Sequence, residues 1–102
     1  MTKAKQINLG IQVVPILDSA SSYPIIDSCI ELIQQSGIKH QVTPFETVLE
    51  GPYKEVMQLV DDIFTKTDEL SPETVINIRI HSKRDIDVIA SEKTEKFIKK
   101  GN

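Results

Sequence analysis

The sequence has 102 residues, of which 39% are hydrophobic and 26% are charged, and its formal net charge is −3 at pH 7. This length fits a single domain over residues 1–102, and the composition excludes a disordered or fibrous chain. The negative charge gives no general attraction for phosphate backbones, so we expect no nucleic-acid partner. The single cysteine allows no internal disulfide and no apolar run reaches the ~18 residues of a membrane span. We therefore expect a cytoplasmic protein without a membrane partner.

The first strand and the first helix are predicted from the alternation of apolar residues. Over residues 7–13 the odd positions are apolar, which is the period of a strand with one buried face, and Pro15 marks its end. A helical stripe then predicts a helix over Ser22–Ser36, with Ser22 as its N-cap and Pro24 in its first turn. Gly37 is expected to be the left-handed residue that ends this helix.

A hairpin and a second helix are predicted in the middle of the chain. Residues 38–43 and residues 45–50 alternate between apolar and polar and are separated by a proline, which predicts two strands with a tight connection. A Gly-Pro pair at residues 51–52 interrupts this pattern. An apolar stripe that begins at Val56 then predicts a helix that ends near Thr67.

The end of the chain completes the predicted fold. Residues 75–82 alternate strictly, with isoleucines on one face and polar side chains on the other, and residues 91–100 suggest a short C-terminal helix with Ser91 as its N-cap. The order βαββαβ matches the ferredoxin-like split βαβ motif. We therefore predict an α+β fold in which a four-stranded antiparallel sheet carries both main helices on one face.

The sheet face opposite the two main helices is predicted to be uncovered. It mixes polar and apolar side chains, and a partly apolar face of this kind is usually buried against another molecule. We therefore predict a homo-oligomer, a dimer or tetramer that assembles through sheet faces. The predicted residues of this face include Asn8, Gln12, Val14, Gln41, Val48 and Val75.

Residue constellations typical of enzymes are missing from the sequence. We identify no nucleophile and base pair, no metal-ligand spacing and no glycine-rich phosphate loop. Cys29 falls on the apolar stripe of the first helix and is interpreted as a core residue. His40 and His81 belong to different predicted strands, and only a metal site shared with carboxylates of another subunit would use them. We predict a protein that is not an enzyme and that holds no metal or cofactor.

Polar residues are crowded in the predicted hairpin, where Thr43, Thr47 and Glu50 lie within one short segment. They could form a binding surface. Local structure also explains them, since Thr43 suits a turn, Thr47 favours a strand and Glu50 precedes a helix. On residue chemistry alone the structural explanation is favoured.

The same segment resembles the small thiamine-binding-protein-like family. A Ser-Gly pair ends the first helix, a Thr-Pro step and a further threonine follow, and a Glu-Gly pair precedes a helix that contains Glu-Val-Met. The VVPI step of residues 13–16 and the pair Arg84 and Asp85 extend the resemblance over nearly the whole chain. The sequence departs from the family pattern at His40 and at residues 45–46. The motif residues are Ser36, Gly37, Thr43, Pro44, Thr47, Glu50, Gly51 and residues 55–57.

The resemblance implies binding of thiamine or its hydroxymethylpyrimidine part. A carboxylate could pair with the cationic thiazolium or accept a hydrogen bond from the pyrimidine amino group. Amide and hydroxyl groups could form neutral hydrogen bonds, and Phe45 or Tyr53 could stack on a ring. Two serines at the start of the first helix are additional candidates. The candidate ligand-binding residues are Gln12, Ser21, Ser22, Phe45, Thr47, Glu50 and Asn77.

The predicted function is non-catalytic binding, as a carrier, buffer or sensor of a thiamine-like small molecule. Two alternatives stay open. One is a regulatory or structural assembly module whose sheet faces pair without thiamine binding. The other is a small enzyme that uses Glu50 or His40 as acid or base together with groups of a partner subunit.

Overall fold

The secondary structure follows the predicted order in a computed structural model that describes residues 5–98. The strands form one antiparallel sheet in the order β2-β3-β1-β4. The ferredoxin-like βαββαβ prediction, with a short C-terminal helix, is thereby confirmed. The elements are β1 (Gln6–Pro15), α1 (Ser19–Ser36), β2 (Lys39–Val42), β3 (Thr47–Pro52), α2 (Tyr53–Leu70), β4 (Thr74–His81) and α3 (Ala90–Ile98).

The hydrophobic core lies between one face of the sheet and the helices α1 and α2. Leu9 of β1 and Leu49 of β3 are direct partners in the sheet and are fully buried. Val56 and Ile63 of α2 are buried against them at helical spacing. Full burial of each such side chain contributes about 1.5–3 kcal/mol to folding. The helices are therefore held to this face, which is called the helix face below.

Helix α1 starts earlier than the sequence pattern suggests. Its N-cap is Asp18, whose carboxylate accepts a 2.8 Å hydrogen bond from the Ser21 backbone N–H. The prediction of Ser22 as N-cap is wrong, because aspartate caps at least as well and stands one turn earlier. The Ser22 hydroxyl instead donates to the carbonyl of Leu17 at 3.2 Å. Pro24 consequently lies inside the helix rather than in its first turn.

The hairpin is shorter than predicted, and its connection is longer. The Thr43 hydroxyl donates to the Glu46 carbonyl at 2.6 Å and accepts from the backbone N–H groups of Phe45 and Glu46. This local network holds residues 43–46 in a turn, so Phe45 is not the first residue of β3 as predicted. Helix α1 does end at a left-handed Gly37, with φ of 77°, as predicted.

The sheet face opposite α1 and α2 is called the open face. The prediction that this face is uncovered is correct only in part. Strand register places the predicted residues on this face. After β4 the chain turns back across it, where the Val88 N–H donates to the Gln6 carbonyl and Val88 is fully buried. Helix α3 follows and starts at Ala90 rather than at Ser91. The open face is therefore covered beside Asn8, and it is left uncovered near Val75.

Helix α2 is longer than predicted, since it continues past Thr67 to Leu70. The Ser71 N–H donates to the Thr67 carbonyl at 2.9 Å and closes its last turn. Within the part of the chain that the structure describes, no helix is both long enough and apolar enough to cross a membrane. The predicted C-terminal helix residues beyond Ile98 lie outside the described residues.

Candidate functional site

Two cavities of ligand size lie on opposite faces of the sheet. The helix-face cavity, of about 360 Å³, opens between the first half of α1 and the turn that joins β2 to β3. The open-face cavity, of about 470 Å³, lies between the open face and α3. Both volumes fall within the range of ~300–1,000 Å³ that small-molecule sites occupy.

The helix-face cavity has apolar walls and a few hydroxyl groups. Its deep end reaches the core residues Cys29 and Ile63, while Tyr23 and Phe45 stand at its mouth. Burial raises the pKa of the Cys29 thiol, so this cysteine acts as an apolar wall residue. Among residues 5–98, no lysine or arginine lines this cavity. Its chemistry suits a flat, largely apolar ligand.

Thr47 is the polar group best placed in the helix-face cavity. It is the partner of Ile11 across the sheet, which directs its side chain to the helix face. The residue is only 7% exposed and lines the cavity. Within residues 5–98 its hydroxyl forms no hydrogen bond and is not among the fully enclosed unpaired atoms, so it is accessible from the cavity. A ligand in the cavity could supply a hydrogen-bond partner.

Glu50 is buried beneath the open-face cavity and is engaged by protein groups. Its Oε1 accepts from the Ala90 N–H at 2.7 Å and from the Asn8 side-chain amide at 3.2 Å. Its Oε2 lies 3.5 Å from the Lys39 ammonium. Burial by itself raises the pKa of Glu50, but the hydrogen bonds from Ala90 and Asn8 and the charge of Lys39 together lower it below the usual value.

The Glu50 carboxylate also holds the beginning of α3. A negative charge at this helix end interacts favourably with the unpaired N–H groups of the first turn. Val88 accepts a hydrogen bond from the Asn8 amide at 3.2 Å and fixes the approach of the chain to the same point. Glu50, Asn8 and Val88 thus attach α3 to the sheet.

Glu46 and Arg79 form an ion pair that sequence reasoning missed. The Arg79 guanidinium donates to Glu46 Oε1 at 2.6 Å across the centre of the open face. The pair passes over Gly10, where an added Cβ would stand 2.6 Å from the same Glu46 oxygen. The available signal was parity, since residues 48 and 50 of β3 share the open face and Glu46 precedes them by the same step of two.

A basic group completes the open-face cavity on the α3 side. The Lys93 ammonium lies 2.6 Å from His81 Nδ1. A lysine ammonium can only donate, so His81 Nδ1 is the acceptor and its Nε2 carries the proton. Within residues 5–98, no group of three or more His, Cys, Asp or Glu side chains could hold a metal ion.

The candidate ligand-binding residues do not converge on one site. Ser22, Phe45 and Thr47 line the helix-face cavity. Gln12 lines it too, but its side chain accepts from the Asn77 amide at 3.1 Å on the open face, so only its backbone reaches the helix face. The remaining candidates lie elsewhere: Glu50 and Asn77 on the open face and Ser21 on the exposed start of α1.

The chain matches the model of a known protein family over most of its length. Residues 9–98 match the family model described as thiamine-binding protein. This match covers most of the sequence and every element of the fold except the first three residues of β1. The chain belongs to the thiamine-binding protein family, which confirms the resemblance drawn from the motif residues.

Individual relatives agree with this family. A candidate thiamine biosynthesis/salvage protein of Thermotoga maritima has a similar structure, with a TM-score of 0.84 and 27% identity over 90% of this chain and 98% of that one. A domain of unknown function from Bacillus cereus has a TM-score of 0.83 and 29% identity over 94% and 95% of the two chains. A UPF0045 protein of Clostridium perfringens is 32% identical over 53 residues, which is 52% of this chain and 56% of that relative. The matched stretch thus spans little more than half of that relative.

Proposed function

We propose that this protein binds thiamine or its hydroxymethylpyrimidine part in the helix-face cavity, in the cytoplasm and without catalysing a reaction. The observation that carries the proposal is Thr47, a largely buried residue whose hydroxyl lines the cavity, forms no hydrogen bond among the described residues and stays accessible to a ligand. Membership of the thiamine-binding protein family supplies the ligand class.

The walls of the helix-face cavity fit the two parts of such a ligand. The flat, methyl-bearing pyrimidine can lie between apolar side chains such as Ile11 and Ile26, while Thr47 and Ser22 offer hydroxyl groups to its ring nitrogens and amino group. The thiazolium cation can lie nearer the mouth, where the rings of Tyr23 and Phe45 can face it.

Electrostatics favour the helix-face cavity over the open-face cavity for this ligand. A thiamine cation in the open-face cavity would meet Lys39, Arg79 and Lys93. The carboxylates there, Glu46 and Glu50, are already paired with protein donors. The helix-face cavity has no such cationic lining within residues 5–98.

Calorimetric titration with thiamine and with hydroxymethylpyrimidine tests the proposal. We expect saturable binding at a fixed stoichiometry per chain, and Thr47→Val should weaken it roughly tenfold, because it removes about one neutral hydrogen bond while keeping the side-chain shape. Thr65→Val, on the exposed surface of α2, is the matched control and should bind like the unchanged protein. Absence of heat and of thermal stabilisation at millimolar ligand would refute the proposal.

We propose further that the protein forms a dimer or tetramer through sheet faces. Val14 and Val75 are partners across β1 and β4 on the uncovered part of the open face, and Val75 is 46% exposed. On the other face of β4, Ile78 and Ile80 are also exposed. Such apolar groups on a strand surface favour contact with a second copy.

The same exposed side chains favour a second candidate function, an assembly module that does not bind thiamine. Light scattering of the unchanged protein and of Val75→Asp separates the possibilities when combined with the titration. Oligomers that dissociate in Val75→Asp, together with no response to thiamine, would favour the assembly module. A monomer at all working concentrations would refute both the proposed oligomer and the assembly module.

A further inference from the structure

We propose that the open-face cavity is a second binding site, which takes the phosphoryl group of a small phosphorylated molecule between Arg79, His81 and Lys93. This site lies on the opposite face of the sheet from the helix-face cavity. It neither uses the thiamine-binding residues proposed above nor depends on them.

The strand geometry brings the three basic side chains together. Arg79 and His81 are two residues apart on β4 and share the open face, so their Cα atoms are separated by roughly 6.8 Å. Lys93 reaches the same place from α3, with its ammonium 2.6 Å from the His81 ring. All three residues line the cavity. Donors from a strand and from a helix thus line one cavity, and an anion with several acceptor oxygens could bridge them.

Each of the three groups retains hydrogen-bond donors for an anion. Because Lys93 donates to His81 Nδ1, the imidazole keeps an N–H at Nε2, and the ammonium keeps further hydrogens. Arg79 uses one side of its guanidinium on Glu46 and is otherwise largely exposed. Ser91 and Thr94 on α3 add hydroxyl groups to the lining. Hydrogen bonds from charged donors to phosphate oxygens are among the stronger ones in proteins.

The charge of this cavity is opposite in sign to that of the chain. Its lining carries the cations Lys39, Arg79 and Lys93 against the carboxylates Glu46 and Glu50, while the whole chain has a formal net charge of −3. Within residues 5–98, Lys93 has no carboxylate within ion-pair distance. An anion bound beside it would therefore supply the counter-charge that the described part of the protein does not.

The size of the cavity indicates that the phosphoryl group belongs to a larger molecule. The cavity of about 470 Å³ extends from the basic groups across Gly10 and Val48 to Gln41 and Lys39 on the far side. A phosphate alone would occupy only the end near α3. A phosphomonoester could extend its organic body from there past Val48 towards Gln41.

Titration of the ¹⁵N-labelled protein with inorganic phosphate and, separately, with ribose 5-phosphate tests the proposal by NMR. We expect saturable shifts at the amides of Arg79, His81 and Lys93. Lys93→Gln should weaken phosphate binding roughly tenfold, the loss expected when one charge-assisted hydrogen bond is removed. Because Lys93 is exposed, this variant should keep the amide spectrum of the folded protein.

Lys96→Gln provides the matched control. It removes the same charge from the same helix but does not line the cavity, since its ammonium lies over the Phe97 ring. Equal weakening by both variants, or shifts that do not saturate, would reduce the effect to general charge attraction and overturn the proposal. Tighter binding of ribose 5-phosphate than of phosphate would assign the site to phosphate esters. Equal affinity for the two would assign it to the free phosphate ion.

Thiamine titration of Lys93→Gln separates this proposal from the proposed function. Thiamine affinity should be unchanged, because Lys93 does not line the helix-face cavity. Loss of phosphate binding with unchanged thiamine binding supports two sites. A parallel loss of both would overturn the assignment of a separate phosphoryl site.

Discussion

The helix-face cavity and the open-face cavity are separated by the thickness of one sheet, yet they present different chemistry. Along β3, Thr47 and Leu49 point to the helix face, while Val48 and Glu50 point to the open face. The first pair meets a helix-covered apolar layer, and the second meets charged groups of β2, β4 and α3. A small domain can therefore offer a site for a flat organic cation and a site for an anion because neighbouring strand residues face opposite ways.

Blocking the helix-face cavity should give the largest difference between the changes in thiamine affinity and phosphate affinity. Ser22→Phe places a large ring among the cavity residues at the start of α1. We expect thiamine affinity to fall by roughly a hundredfold, about 2.8 kcal/mol, and phosphate affinity to stay unchanged. Calorimetry with each ligand measures both effects. Ser28→Phe, on the same helix but outside the cavity lining, is the control, and equal loss in that variant would contradict the placement.

Removing the Glu50 carboxylate, which attaches α3, should weaken phosphate binding in the open-face cavity more than thiamine binding in the helix-face cavity. Glu50→Ala leaves the Asn8 amide and the Ala90 N–H without their acceptor, which should lower the free energy of unfolding by about 1–3 kcal/mol. Phosphate binding should weaken as α3 loosens, while thiamine binding by the folded protein should persist. Urea unfolding checks stability, with exposed Glu31→Ala as control. A Glu50→Ala protein as stable as that control would contradict the structural role of Glu50.

Acidification should remove the contribution of Glu50 to stability. Its pKa is lowered in the folded protein from the ordinary value of 4.5. The contribution is therefore fully present above about pH 4.5 and is lost as the pH falls through the lower folded pKa. Urea unfolding between pH 7 and pH 3 should show a smaller loss for Glu50→Gln than for the unchanged protein. Identical pH profiles would show that the Glu50 carboxylate does not stabilise the fold.

A methyl group at Gly10 should have the smallest effect. In Gly10→Ala the new Cβ would stand 2.6 Å from Glu46 Oε1, so the flexible carboxylate must move away from its position beside Arg79. The exposed ion pair contributes at most about 1 kcal/mol, so the free energy of unfolding should change by no more than that. Phosphate affinity should change by a few-fold and thiamine affinity should not. A change in thiamine affinity alone would contradict the division between the cavities.

The fold was predictable because alternation and helical stripes extend over most of the chain. The strict alternation of β4 and the apolar stripe of α2 marked two elements, and Gly37 marked the end of α1. The start of α1 was missed because Asp18 and Ser22 are both good caps, and the bond from the Ser21 N–H to the Asp18 carboxylate starts the helix one turn earlier. The return of the chain to the open face depends on Val88, a long-range contact that no local pattern indicates.

The candidate site was predictable only in part. The family motif pointed to Thr47, and the polar start of α1 added Ser22; both line one cavity with Phe45. The motif also pointed to Glu50, whose Oε1 accepts from Asn8 and Ala90. Sequence alone cannot distinguish a carboxylate that is free to bind a ligand from one that holds a distant helix. The basic cluster on β4 and α3 joins residues far apart in the chain.

The most direct test of the central claim is an NMR titration of the ¹⁵N-labelled protein with thiamine. We expect saturable shifts at the amides of Ser22, Phe45 and Thr47, with little change at Arg79 and Lys93. Shifts centred on α3 and β4, or none at millimolar thiamine, would contradict the assignment of thiamine to the helix-face cavity.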